Sequence, residues 1–185
     1  MFKSYHTAIM GNVIRALLVV LTVTAAAYDW KYRIIPNWLV LAGVIAGLAV
    51  NTWMGGLSGL WLALSGAAFA LLIYLPLYAL RAMGAGDAKL MAAVGALMGP
   101  FLWWSMFVYT IVIGGVAALV AIVVGGRFRR TFRNIWTILT SLARGRRPWA
   151  ENPEVDVSNE RALRLPHAVT IAAGMLAYLI LGPLR

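Results

Sequence analysis

The sequence contains no cysteine, two histidines and six carboxylates in 185 residues. Without thiols there can be no disulfide, no thiolate zinc site and no cysteine nucleophile. His6 and His167 fall near opposite faces of the topology derived below, so no shared metal site is expected, and no cofactor. Ser65 and Ser105 have no histidine to activate them, which disfavours a rhomboid-like serine protease. Charge is scarce as well: 12% of residues are charged and 62% are hydrophobic. No ordinary soluble domain has that balance.

What the chain does have is apolar runs that approach or exceed the roughly 18–20 residues needed to cross a hydrocarbon core. They are continuous rather than alternating, which argues against a β-barrel. The expected fold is therefore all-α and integral to the membrane: one domain over 1–185, a polytopic bundle of about six transmembrane helices with a basic cytoplasmic loop before the last helix. The net charge of +10 is read as loop charge and contact with anionic lipid, not as a nucleic-acid surface.

In chain order, a first helix is expected over about 8–28, followed by a short connection at 29–35. Pro36 can open the second helix, since proline at the first helical position gives up no needed hydrogen bond. That helix ends near Trp53, and Gly55, Gly56 and Gly59 mark a turn. A third run covers 57–80 and a fourth 88–98, where Gly99-Pro100 breaks it. A turn is expected near 99–104, with Trp103 and Trp104 at the membrane interface. The fifth run ends near Val124. Residues 125–165 form an arginine-rich loop, within which 131–143 can lie as a helix on the membrane surface. The sixth run is 166–184. Gly43 and Gly47 have the spacing of a close helix–helix contact.

Six crossings put both termini on one side and the connections 29–35, 81–89 and 125–165 on the other. Those three connections hold most of the 16 basic residues. The positive-inside rule makes them cytoplasmic and both termini external. A cleaved signal peptide at the first helix would turn the basic face outward. An unbroken helix over 88–124 would move the arginine loop to the other side.

Glu151, Glu154, Asp156 and Glu160 crowd into one polar segment, which leaves Asp29 and Asp87 isolated beside hydrophobic runs. An ionisable group at a bilayer boundary is costly and points to function. The topology brings both to the same cytoplasmic boundary. Two carboxylates a few ångströms apart share one proton. The ionised partner can take a proton from water as it attacks a carbonyl, and the protonated partner can support the oxyanion. Asp87 also stands where an N-cap belongs. Gly84 and Gly86 permit positive φ and a close backbone approach. Taken singly, Asp87 could be a mere cap and Asp29 an interfacial residue beside Lys31 and Arg33. Isolation on one shared face favours function for the pair. Lys31, Arg33, Arg81 and Lys89 read first as topology determinants.

Gly84-Ala85-Gly86-Asp87-Ala88-Lys89, together with Asp29 followed by Arg33-Ile34-Ile35-Pro36-Asn37, resembles the type IV prepilin peptidases, membrane aspartic proteases with a GxGD motif. The similarity is greatest to the short members associated with Flp/Tad-type pilus systems, and it covers roughly 12–125. It implies a bacterial inner-membrane enzyme with Asp29 and Asp87 as the catalytic pair. It further implies that Gly84, Gly86, Lys89, Pro36 and Asn37 belong to the substrate-binding or active-site loops. The implied substrate is a prepilin or pseudopilin, cut after its short basic leader on the cytoplasmic side. Larger members also N-methylate the new terminus and carry a cysteine-bearing insert after the first helix. That insert is missing here, so no methyltransferase activity is expected. The competing readings are a proton- or cation-coupled transporter using the two aspartates, and a scaffold acting through its arginine loop.

Overall fold

A computed structural model of the chain describes residues 2–126, 128–152 and 167–183. Its elements are α1 (Phe2–Tyr32), α2 (Asn37–Ala79), α3 (Ala85–Val124), α4 (Phe128–Ala143), the short α5 (Pro148–Glu151) and α6 (His167–Leu181). No strand occurs among the described residues. Three helices are long and apolar enough to cross a membrane: Gly11–Tyr32 within α1, α2 and α3. The fold is all-helical, as its uninterrupted apolar runs require.

Neither α2 nor α3 is one straight rod. Gly56 (φ 57°, ψ −134°) interrupts α2, and Gly99 (φ 72°, ψ 171°) interrupts α3. Positive φ is nearly free only for glycine, which is why each break falls on one. A β-carbon on Gly59 would overlap the carbonyl of Asn51. Eight residues of straight helix span about 12 Å, so the halves of α2 must fold back on each other. In α3 the indole N–H of Trp103 donates to the Met91 carbonyl at 3.0 Å, although twelve residues of straight helix would separate them by about 18 Å.

That second reversal changes one expectation. Trp103 does not sit at the interface. It is fully buried, stacks on Phe107 at a 4.9 Å centroid separation and meets Tyr74 and Phe69 edge-on. Folding back carries its ring into the core, and the Met91 carbonyl satisfies its N–H, without which burial would be costly. Trp104 remains half exposed.

The first half of α3 is the centre of the molecule. Leu90 through Gly99 are all buried, enclosed by α1, both halves of α2 and α6. Small residues make this possible. Gly47 lies against the backbone of Ala96, Gly43 against Leu21 and Ala93, and Gly66 and Gly95 against each other. In lipid there is no hydrophobic gain from bringing helices together, so close backbone packing and interhelical hydrogen bonds carry the association. Asn51 adds such bonds, donating to the carbonyls of Ala96 (2.9 Å) and Leu97 (3.2 Å). Large apolar side chains such as Leu41, Leu57, Leu72 and Val120 cover the outside, as a lipid-facing surface should.

Within the arginine-rich region the structure gives α4, starting three residues earlier than expected, and α5. Arg127, Arg161, Arg164, Glu154, Asp156 and Glu160 lie outside the described residues, as does the start of the sixth run at Pro166. The side chain of His6 is likewise outside them.

Candidate active site

The two motif loops begin in the same way. α1 stops at Tyr32 because Arg33 takes a left-handed conformation (φ 57°), with its N–H donating to the Asp29 carbonyl at 3.0 Å. α2 stops where Arg81 does the same (φ 54°), and the Ala82 N–H reaches back to the Leu77 carbonyl at 2.9 Å. This is a left-handed helix ending with arginine where glycine usually stands. Such a backbone is strained for a residue with a β-carbon. Both connections are thereby kept short.

Asp29 is consequently not in a connecting loop, as its neighbours had indicated, but in the last turn of α1. A carboxylate is disfavoured at a helix C-terminus. α6 compensates: the Ala168 N–H, in its first turn, donates to Asp29 Oδ2 at 3.1 Å. The free amides at a helix N-terminus are a natural place for an anion.

Asp87 is at the third position of α3 rather than at its N-cap, which is Gly84. Its Oδ2 accepts the Gly84 N–H at 3.2 Å. This is the backward half of a capping box, and glycine cannot supply the forward half. Neither Gly84 nor Gly86 has positive φ, which corrects the conformational role expected for them. Gly86 instead gives room to the buried Ile35, whose side chain a β-carbon on Gly86 would meet at 3.2 Å. Pro36 is the N-cap of α2, so Asn37 rather than proline is the first helical residue. Proline suits this place because its ring holds φ near the observed −65°.

The loops are tied across helices. Lys89 Nζ donates to Asn37 Oδ1 at 3.0 Å. Asp87, half-buried like Asp29, lies within electrostatic reach of both Asp29 and His167. Tyr74, 1% exposed, is also within electrostatic reach of Asp87. Among the described residues each aspartate accepts one side-chain hydrogen bond, on Oδ2. The remaining lone pairs can take water or a peptide. Of the residues singled out from the sequence, the fold thus gathers Asp29 with Asp87, Asn37 with Lys89, and Gly86 with the segment ending at Pro36.

Two contributors were missed. His167 opens α6, with its Nε2 buried and without a hydrogen-bond partner among the described residues. Leaving a buried polar atom unpaired costs about 1–3 kcal/mol. A signal for it existed: the topology starts the last helix on the cytoplasmic side, the face that holds both aspartates. Tyr74 had no such signal, because it sits inside an apolar run.

The profile of the type IV leader peptidase family matches residues 16–119, a segment that carries both aspartates, both loops and Tyr74. No curated protein and no solved structure matches the chain. α6 lies beyond the matched segment. Since the match covers more than half of the sequence, the chain belongs to the type IV leader peptidase family.

Proposed function

We propose that the chain is a membrane-embedded aspartic endopeptidase that removes the short basic leader of type IV prepilins or prepilin-like proteins at the cytoplasmic face of the bacterial inner membrane. The observation that carries this reading is the proximity of Asp87 to Asp29, each held by a backbone amide at a helix end. One carboxylate is ionised and takes a proton from water, whose oxygen attacks the scissile carbonyl, while the other donates its proton to the developing oxyanion. The first then passes its proton to the leaving amine as the C–N bond breaks, and the collapsing gem-diol returns a proton to the second. Water is the nucleophile, and no acyl-enzyme forms. Lys89, Asn37, Pro36, Gly84 and Gly86 line the loops that receive the substrate.

In this reading α2 folded at Gly56 and α3 folded at Gly99 supply four crossings, and α1 and α6 supply two more. Both termini are then external, and the site faces the cytoplasm. The short connection at 33–36 carries no cysteine-bearing insert, and the reading accordingly includes no N-methylation. Anionic lipid headgroups partner the basic segment: α4 exposes Phe128, Phe132, Ile135, Trp136 and Leu139 along one face. Its other side carries Asn134, which is bonded to Asn152 at 2.9 Å. An apolar face left open beside arginines suits the interface of an acidic leaflet.

The test is cleavage of a co-expressed prepilin by Asp29→Asn and Asp87→Asn variants that still insert into the membrane. Loss of processing in both supports the dyad, and wild-type processing in either one overturns it. Ion flux in reconstituted vesicles that depends on either aspartate would favour a transporter instead.

A further inference from the structure

We infer that Trp149 is a positioning residue for the reaction: its ring, packed on the Arg81 guanidinium, braces the turn that leads into Asp87. The inference rests on the peptidase reading above. It gives a part in that reaction to the arginine-rich segment, which lies beyond the residues that the family profile matches.

The turn needs support from outside itself. Arg81 stands at φ 54°, where a glycine would carry no strain, and such a backbone persists only when its surroundings fix it. Three residues on, Gly84 has no side chain, and a β-carbon there would have only the Asp87 carboxylate and the Gly86 nitrogen within 4 Å. Met83 packs against the core, whereas Ala82 is exposed. Yet it is the Gly84 N–H that Asp87 Oδ2 accepts, at 3.2 Å. A shift of the turn therefore passes directly to the carboxylate.

Trp149 supplies a hold. The Arg81 guanidinium carbon lies 5.2 Å from the centroid of its ring, within the range at which the face of an indole attracts a cation. Trp149 is half-buried on α5, next to the buried Pro148 that opens this helix. α5 is in turn fastened to α4. Asn152 Nδ2 donates to Asn134 Oδ1 at 2.9 Å. The link between the two helices is closed by the Arg146 N–H, which donates to the carbonyl of the buried Ser141 at 2.8 Å. α4 and α5 thus form one unit, and α4 carries the apolar face that rests on lipid in the reading above. Through Trp149 this unit reaches a turn far from it in sequence and holds it at its strained residue.

The experiment uses the full chain reconstituted in vesicles. Cleavage of a peptide spanning leader, scissile bond and first pilin residues is followed for Trp149→Leu, Trp149→Tyr, Arg81→Met and Arg81→Lys, with Asp29→Asn as the chemical control. Leucine keeps apolar bulk without a π face, and tyrosine keeps the face. Methionine keeps length without charge, and lysine keeps the charge. Trp149→Leu and Arg81→Met are each expected to lower kcat about twofold to fivefold, the worth of one accessible cation–π contact, with a smaller change in KM. Trp149→Tyr and Arg81→Lys are expected to recover most of that loss. The double variant Trp149→Leu/Arg81→Met should be no worse than the poorer single. Because the chain has no cysteine, a nitroxide on Ala82→Cys reports on the turn directly, and Trp149→Leu should make it more mobile. Wild-type kcat in Trp149→Leu would overturn the proposal, as would equal losses in Trp149→Leu and Trp149→Tyr or additive losses in the double variant. So would nitroxide mobility unchanged by Trp149→Leu. If Asp29→Asn cleaves normally, the dyad fails, and the nitroxide still decides whether Trp149 braces the turn.

Discussion

Lys89 reaches across from α3 to donate to the side-chain oxygen of Asn37, the first residue of α2, at 3.0 Å. It joins the lysine of the glycine–aspartate motif to the asparagine of the Ile-Pro-Asn motif. Two segments separated by the whole of α2 become one rim beside Asp87. The bond is exposed to solvent, so it contributes little stability and chiefly orients the loops.

Breaking this tie should show in activity more than in melting. Asn37→Ala and Lys89→Met are each expected to slow prepilin cleavage severalfold while changing stability by less than about 1 kcal/mol. The double variant should be no worse than the poorer single, because both remove the same bond. Additive losses in a double-mutant cycle of cleavage rates would mean that the two residues act separately.

In the proposed reaction each aspartate carries a proton, and asparagine cannot, although it keeps size and polarity. Cleavage should fall by about 10²–10⁴-fold for each variant. Membrane insertion and thermal unfolding in detergent should stay near wild type, with a small loss at Asp87 because its carboxylate caps the Gly84 N–H. Initial rates on a purified prepilin provide the measurement.

The small-residue contact between Gly66 and Gly95 is a stability prediction independent of chemistry. A β-carbon on either glycine would overlap the backbone of the other. Gly95→Val or Gly66→Val should destabilise the fold by about 1–3 kcal/mol or more, the cost of overpacking a tight contact. Gly55→Ala, where no atom lies within 4 Å, should be near neutral. Unfolding midpoints in mixed micelles would check the contrast.

α4 offers a test of the lipid partner. Trp136 is 63% exposed on its apolar face, and brominated acyl chains should quench its fluorescence, taken as the difference between the chain and Trp136→Phe. Phe132→Glu with Leu139→Glu should abolish that quenching. Removing anionic lipid should weaken it, by about 1 kcal/mol for each arginine near the surface. Equal quenching in neutral and acidic vesicles would remove the electrostatic part of the proposal.

The sequence showed that the chain is helical and membrane-bound, because composition and unbroken apolar runs depend on local residue content alone. Gly56 and Gly99 could also be found there, since glycine-rich and Gly-Pro breaks carry a local signal. Asp29 and Asp87 stood out because carboxylates are so scarce among lipid-compatible residues.

Other details needed the tertiary structure. Trp103 looked interfacial until the reversal at Gly99 supplied a carbonyl partner and a stacking ring. Neither Gly84 nor Gly86 takes a positive φ, and at Gly86 it is the packing of Ile35 that limits the space for a side chain. Ala168 and His167 join the aspartates only because α6 docks beside α1. Linear sequence fixes which segments leave water and where the chain can turn, since these follow from side-chain transfer and backbone freedom. Which amide meets Asp29 is decided by helices distant in sequence packing at van der Waals contact.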